Sequence, residues 1–251
     1  MSFYITLSSN TDSDYYPDNT LTHFFNKLPS SLNLNEGNWK VGLVDISYPV
    51  NWYNCRDKEL WLYLAEKENE YVFISPGYYR NKRSFILMLN NKLHHMKNQV
   101  LKDAVTFRFD NATQKVTITR KKKQVVVVLS EKLERILGFE AKFWLKNQNF
   151  TRIIAPEIID LSDGLRHLYI HTNIIEFRAV GQKFFPLLRI LPVTEEDGVL
   201  NNSHSFQNIQ YMSVRHQLFE SIEIYITDGT GAKIPFERGT ILLTLHFKQV
   251  S

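Results

Sequence analysis

The sequence predicts a mainly β protein, a β-sandwich built from the N- and C-terminal segments of the chain and interrupted by a small α+β insertion. Three observations carry this prediction. Aromatic residues make up 13% of the 251 residues, alongside many Val, Ile and Thr, and such side chains pack well on a pleated sheet. Apolar and polar residues alternate with period two near both ends of the chain, in Phe3 to Leu7 and in Ile222 to Ile226. Between them, from about residue 75, the apolar period changes to that of a helix.

Taken in order, Phe3 to Leu7, Leu21 to Leu28, Trp39 to Ile46 and Leu60 to Ala65 read as strands bounded by Asn, Asp, Ser or Pro clusters. Trp39 to Ile46 is apolar on both faces, with Trp39, Val41, Leu43 and Asp45 on one and Gly42, Val44 and Ile46 on the other. That pattern belongs in the middle of a sheet. Proline cannot donate to a ladder, so the Tyr48-Pro49 step ends it.

A short strand at Tyr71 to Ile74 and the turn Ser75-Pro76-Gly77 lead into Asn81 to Met96. There Ile86, Leu89, Leu93 and Met96 share one face of a helix, and Lys82, Asn90, Asn91 and Lys97 lie on the surface. Val105 to Phe109 and Lys115 to Thr119 form a hairpin across Asp110 to Gln114, and Gln124 to Leu129 follows as a third strand. Ser130 is a good N-cap for a helix burying Leu133, Ile136 and Leu137, and Gly138 stands where a left-handed residue is wanted. Strands resume at Leu168 to His171, Leu187 to Leu191, Ile222 to Ile226 and Thr240 to Phe247. Thr227 to Gly231 reads as a turn and Thr194 to Gln210 as a long loop. The domain expectation is therefore 1–74 and 146–251 in one sandwich, with 75–145 as the insertion.

Thirty basic against 26 acidic residues leave a net charge of +4, below that of a dedicated nucleic-acid binder. A single cysteine, Cys55, excludes an intramolecular disulfide framework and a Cys-rich metal site, and suits a reduced interior. The first ten residues read as a strand and a turn rather than a secretion signal, and the sequons at Asn111, Asn149 and Asn201 are expected to be chance matches. Val125 to Leu129 is typical of the longest apolar runs, far short of the ~20 residues a membrane helix needs.

No P-loop, Gly-x-Gly-x-x-Gly, Gly-x-Ser-x-Gly or His-Glu-x-x-His is present, and no cofactor is expected. His94 and His95 point about 100° apart on a helix and cannot share a metal. His167 and His171 share one face of a strand, but two ligands do not make a site, and Cys55 has no histidine tied to it by spacing. Gly229 breaks what would otherwise be the Asp-Thr-Gly loop of an aspartic protease. An enzyme is not expected.

The basic block Arg120, Lys121, Lys122, Lys123 reads first as a solvated hairpin turn, and second as a contact for nucleic-acid phosphates or nuclear import. More informative are large rings in loop-like surroundings: Tyr15, Tyr16, Trp52, Tyr53, Phe143, Trp144, Phe184 and Phe185. Some such rings belong to the core. Exposed ones mark interfaces, because each buries much area at low entropic cost, so these eight are the candidate subunit contacts.

Several segments together resemble a known family. Phe3 to Asn10, Tyr16 to Thr20 and Trp39 to Pro49 are similar to the start of the minor capsid (penton) proteins of Maverick/Polinton elements and the related adintoviruses. Pro186 to Ile190, Ile222 to Ile224, Asp228, Gly231, Pro235-Phe236, Gly239 and Leu243 to Phe247 resemble their C-terminal half, and Ser75 to Tyr79 and Leu137 to Phe139 agree between them. Ser8 and Phe177 depart from the family pattern, where proline is expected.

The resemblance implies a jelly-roll subunit, non-enzymatic, that forms homopentamers at the fivefold vertices of an icosahedral virion capsid. Its partners would be itself, a major capsid protein and packaged DNA, with assembly inside the host cell and in the nucleus. The insertion would then project outward. The alternative from a different class is a β-sandwich binding module that recognises a glycan or receptor through its aromatic loops.

Overall fold

The computed structural model describes residues 1–11, 14–34, 37–142, 150–162, 164–193 and 201–250. Two compact units are present, one formed by residues 1–52 and 165–251 and the other by 53–164. The second unit is wider than the expected 75–145. Its extra residues belong to it by pairing: β4 (Trp61–Ala65) joins both β5 (Asn69–Phe73) and β8 (Val126–Leu129), and β9 (Arg152–Ile154) joins β7 (Val116–Arg120).

The first unit holds eight principal strands: β1 (Ser2–Ser8), β2 (His23–Asn33), β3 (Asn38–Pro49), β10 (His167–Thr172), β13 (Leu187–Pro192), β14 (Asn201–Ser205), β16 (Leu218–Thr227) and β17 (Leu242–Val250). One antiparallel sheet runs β1-β17-β3-β14, with the short β15 (Met212–Ser213) also on β3, and the other runs β13-β10-β16-β2. Counted in chain order, the first strand pairs the eighth, the second the seventh, the third the sixth and the fourth the fifth. This is one long hairpin rolled into two sheets, the jelly roll. The other unit enters the chain between the third and fourth strands.

Alternation explains the core. Ile222, Ile224 and Ile226 of β16, Leu243, Leu245 and Phe247 of β17, and Leu168 and Ile170 of β10 are all buried, whereas their neighbours in sequence face outward. β3 departs from the expected alternation. Its buried residues are Trp39, Val41 and Leu43, then Ile46 and Tyr48, because Val44 is an extra residue: Thr244 faces Asp45 while Leu245 faces Leu43. The bulge reverses the faces of the strand beyond it, so Asp45 does not share the face of Leu43. β2 carries Pro29 in its interior, which is tolerated because the strand is an edge and its register with β16 slips between Lys27 and Leu32. The buried Asn26 of β2 accepts from the Ser8 amide and donates to the Ser8 carbonyl, each at 2.9 Å, and so ties the edges of the two sheets.

The segment expected as a loop, 194–210, contains β14. Asn201 to Ser205 pair with β3 from Pro49 to Asp45; the Phe206 amide then donates to the Val44 carbonyl at 2.7 Å, and β15 pairs with Val41 and Lys40. Between them the chain crosses Gly42, where a Cβ would stand 2.4 Å from Ile209 Cγ2 and 2.7 Å from the Gln210 carbonyl oxygen. The close approach requires glycine.

In the second unit, α1 (Lys82–His94) and α2 (Glu131–Ile136) share one core with the sheets β5-β4-β8 and β6-β7-β9, where β6 is Val105–Phe109. Asn81 caps α1 by accepting from the Ser84 amide, and Ile86, Leu89, Leu93 and Met96 are buried as their spacing predicts. Asn90, expected on the surface, instead exchanges two hydrogen bonds of 2.8 and 2.9 Å with the Phe107 backbone. Ser130 caps α2, and Gly138 follows it at φ +87°, where a Cβ would also strike the Glu157 carbonyl oxygen at 2.3 Å.

Candidate assembly surfaces

The outer face of sheet β13-β10-β16-β2 carries a row of rings. Since Phe24 and Asn26 point inward, His23 and Phe25 point out; likewise Glu223 and Tyr225 alternate with the buried isoleucines of β16. Register places His23 opposite Tyr225, and Tyr225 opposite His171. Ring centroids follow at 5.2 Å (Tyr16–Phe25), 5.5 Å (Phe25–His23), 6.2 Å (His23–Tyr225), 4.3 Å (Tyr225–His171) and 6.0 Å (His171–Phe185). His23 Nε2 meets Glu223 Oε1 at 2.7 Å. A cleft of about 320 Å3 opens beside them, lined by His23, Glu223, Tyr225 and Lys233.

The turn at one end of β16 is tied by its own hydrogen bonds. Asp228 Oδ1 accepts from the Thr230 amide and hydroxyl and from the Ala232 amide, at 2.7–2.9 Å, and Gly231 takes φ +89°. Burial acts to raise the Asp228 carboxyl, and these donors outweigh it and hold it below its ordinary value.

The structure divides the rings singled out in the sequence. Tyr15 is exposed, with Lys27 Nζ 4.0 Å from its ring centroid; Tyr16 and Phe185 are half-buried in the row just described. Tyr53 is exposed, and Phe184 is 69% exposed on a hairpin of β11 (Arg178–Val180) and β12 (Lys183–Phe185). Trp52 is not a surface ring. It is 2% exposed, bridges to Phe236 and meets that ring edge-on at 5.8 Å, so it is core of the jelly-roll unit. Phe143 and Trp144 lie outside the described residues.

The basic block divides too. Arg120, the last residue of β7, is 6% exposed, donates to the Val125 carbonyl at 3.2 Å and lies over the Phe150 ring at 4.8 Å. It is a buried structural cation rather than part of a solvated turn. Lys121 and Lys123 are exposed, and half-buried Lys122 donates to the Val100 carbonyl.

A second surface went unread in the sequence. On the sheet β5-β4-β8, Leu62, Leu64, Val72, Val127 and Leu129 face the core, yet the opposite face is apolar as well. Trp61, Tyr63, Tyr71, Phe73, Val126 and Val128 stand on it. Tyr71 lies 5.4 Å from Trp61, 4.8 Å from Tyr63 and 6.0 Å from Phe73, and Tyr71 and Phe73 are 53% and 47% exposed. The signal was present as Trp61-x-Tyr63 and Tyr71-x-Phe73, rings two apart that alternate with aliphatic residues. A sheet facing water normally carries polar side chains there.

No family model matches the chain, and neither does any curated protein sequence. Solved structures do match. The crystal structure of the mavirus penton protein superimposes with a TM-score of 0.56 over 100% of both chains, at 11% identity. The fold is that of the mavirus penton protein. The Sputnik virophage structure matches with a TM-score of 0.49 at 11% identity, over 99% of this chain and 98% of that one.

The remaining candidate residues of the sequence are placed as follows. Cys55 is buried, and burial pushes its thiol up to about 11, so little reactive thiolate is present at neutral pH. His94 pairs with Asp103 at 3.2 Å and meets the His95 ring edge-on at 5.4 Å. His167 is exposed while His171 is buried on the same face of β10. Among the described residues, no three His, Cys, Asp or Glu side chains group as a metal site would require.

Proposed function

We propose that this chain is a minor capsid (penton) subunit of a Maverick/Polinton-type element, structural rather than catalytic. Its copies close into homopentamers at the fivefold vertices of an icosahedral virion capsid, beside a separate major capsid protein. The observation that supports this best is the eight-stranded jelly roll, matched over its whole length by the mavirus penton protein. A rigid sandwich suits contacts of a closed ring, where each subunit presents two different surfaces to its neighbours.

Exposed rings provide anchors for such contacts: Tyr15 and Tyr53 in loops, Phe184 on the β11–β12 hairpin beside the half-buried Phe185, and Tyr71 and Phe73 on β5. Packaged DNA is a proposed partner of Lys121, Lys122 and Lys123, without Arg120, and assembly is proposed to occur in the host nucleus. The test is the mass of the purified chain by light scattering over a wide range of concentration and salt. The proposal expects five times the 29.5 kDa chain mass, and a strictly monomeric protein throughout rejects it.

A further inference from the structure

Among the described residues the β11–β12 hairpin pairs with no third strand; Val180 faces Lys183 across Gly181-Gln182, with Gly181 at φ +60°. A two-stranded ribbon of this size is marginal in water and depends on what it packs against. Here Phe185 packs edge-on against His171, at 6.0 Å and 66°. His171 is in turn stacked on Tyr225 at 4.3 Å and 7°, and is 5% exposed. Its Nε2 and the Thr227 hydroxyl share a hydrogen bond of 3.3 Å, and its buried Nδ1 has no partner among the described residues.

The charges around the imidazole do not favour a proton. The hairpin brings the half-buried Arg178, which also donates to Met212 Sδ at 3.7 Å, and the exposed Lys183; Arg189 of β13 pairs with Ile170, on the other face of the sheet from His171, and lies over the Phe206 ring at 4.2 Å. β10 itself presents Tyr169 and the exposed His167. On β16 the groups are Tyr225 and Glu223, whose carboxylate is engaged by His23.

We propose that the β11–β12 hairpin is an acid-opened flap, in which protonation of His171 breaks the packing of Phe185 on its ring, frees residues 178–185 and uncovers the His171 end of the row of rings. The sign follows from burial, which pushes His171 down from its ordinary 6.5 to about 4, with Arg178 adding to the shift. An opened flap exposes the imidazole and restores its ordinary affinity for protons. Opening is therefore independent of pH above about 6.5, grows as pH falls towards 4, and levels off below. Between pH 7.5 and pH 5.0 the opening constant rises about 30-fold. In the proposed assembly the flap would couple acid to a contact surface, but the opening belongs to the single chain and does not depend on that reading.

Hydrogen exchange of the full chain tests it, with intrinsic exchange rates divided out at each pH. Protection of residues 178–185 is expected to fall about 30-fold from pH 7.5 to 5.0 while β17 is unchanged. Equal protection of the hairpin at both values overturns the proposal. In His171→Gln the acid response should vanish; a full response in that variant assigns it to another group and overturns the proposal. Should that variant not fold, the wild-type imidazole is followed by NMR. A midpoint below 5 supports the flap, and one near 6.5 refutes it.

Discussion

Gly42→Ala tests how the edge of β3 is built. In an ordinary strand the change stabilises by about 0.4–1 kcal/mol, because alanine has less freedom to lose on folding. Here the new Cβ would lie 2.4 Å from Ile209 Cγ2 and 2.7 Å from the Gln210 carbonyl oxygen. The isoleucine end can rotate away. The carbonyl belongs to the chain crossing from β14 to β15 and can yield only if that crossing lifts. Overpacking of this kind costs about 1–3 kcal/mol, so the net expectation is a loss of about 1–2 kcal/mol. Urea unfolding reads the loss, and hydrogen exchange should show it concentrated at 206–213. Gly229→Ala is the control: its nearest neighbour would be the Tyr169 ring at 3.5 Å, an ordinary contact, and the expected change is within about 0.5 kcal/mol. Equal stability and equal exchange at 206–213 in Gly42→Ala would refute the crossing as described.

Trp52→Ala should cost about 3–5 kcal/mol in urea unfolding, since the ring is core, whereas Tyr53→Ala should change stability by less than about 0.5 kcal/mol and weaken only self-association. Tyr71→Ser with Phe73→Ser should leave the fold intact by circular dichroism; if these rings anchor subunit contacts at about 2 kcal/mol each, association weakens several hundredfold, and unchanged sedimentation removes this face from the assembly. Replacing Lys121, Lys122 and Lys123 together by Ser should weaken DNA retention and reduce its salt slope, by up to about 0.9 for each phosphate no longer neutralised. Arg120 is excluded from that variant because its removal would unpair a buried site.

Strands with one clear core face were legible in the sequence, because alternation of side chains is what burial selects. β6 matches its expected bounds, β16 alternates as read, and the left-handed Gly138 closes α2. What escaped depends on partners distant in sequence. β14, Asn201 to Ser205, has almost no apolar signal because its pairing with β3 uses backbone groups and only Asn202 is buried. The Val44 bulge is set by the register of β17, and nothing local announces it. Trp52 and Arg120 were misplaced by their sequence neighbours: a ring beside Tyr53 looked like loop, and a guanidinium beside three lysines looked solvated. Their burial is set by Phe236 and Phe150, far along the chain. The apolar outer face of β5-β4-β8 was visible only once two separate ring pairs were known to lie on adjacent strands.

If this jelly roll is the subunit of a closed ring, as proposed, electron microscopy of the purified chain will show the ring itself. A pentamer-forming subunit gives class averages of single rings with fivefold symmetry. Monodisperse particles of one chain, or rings of another order, would contradict it.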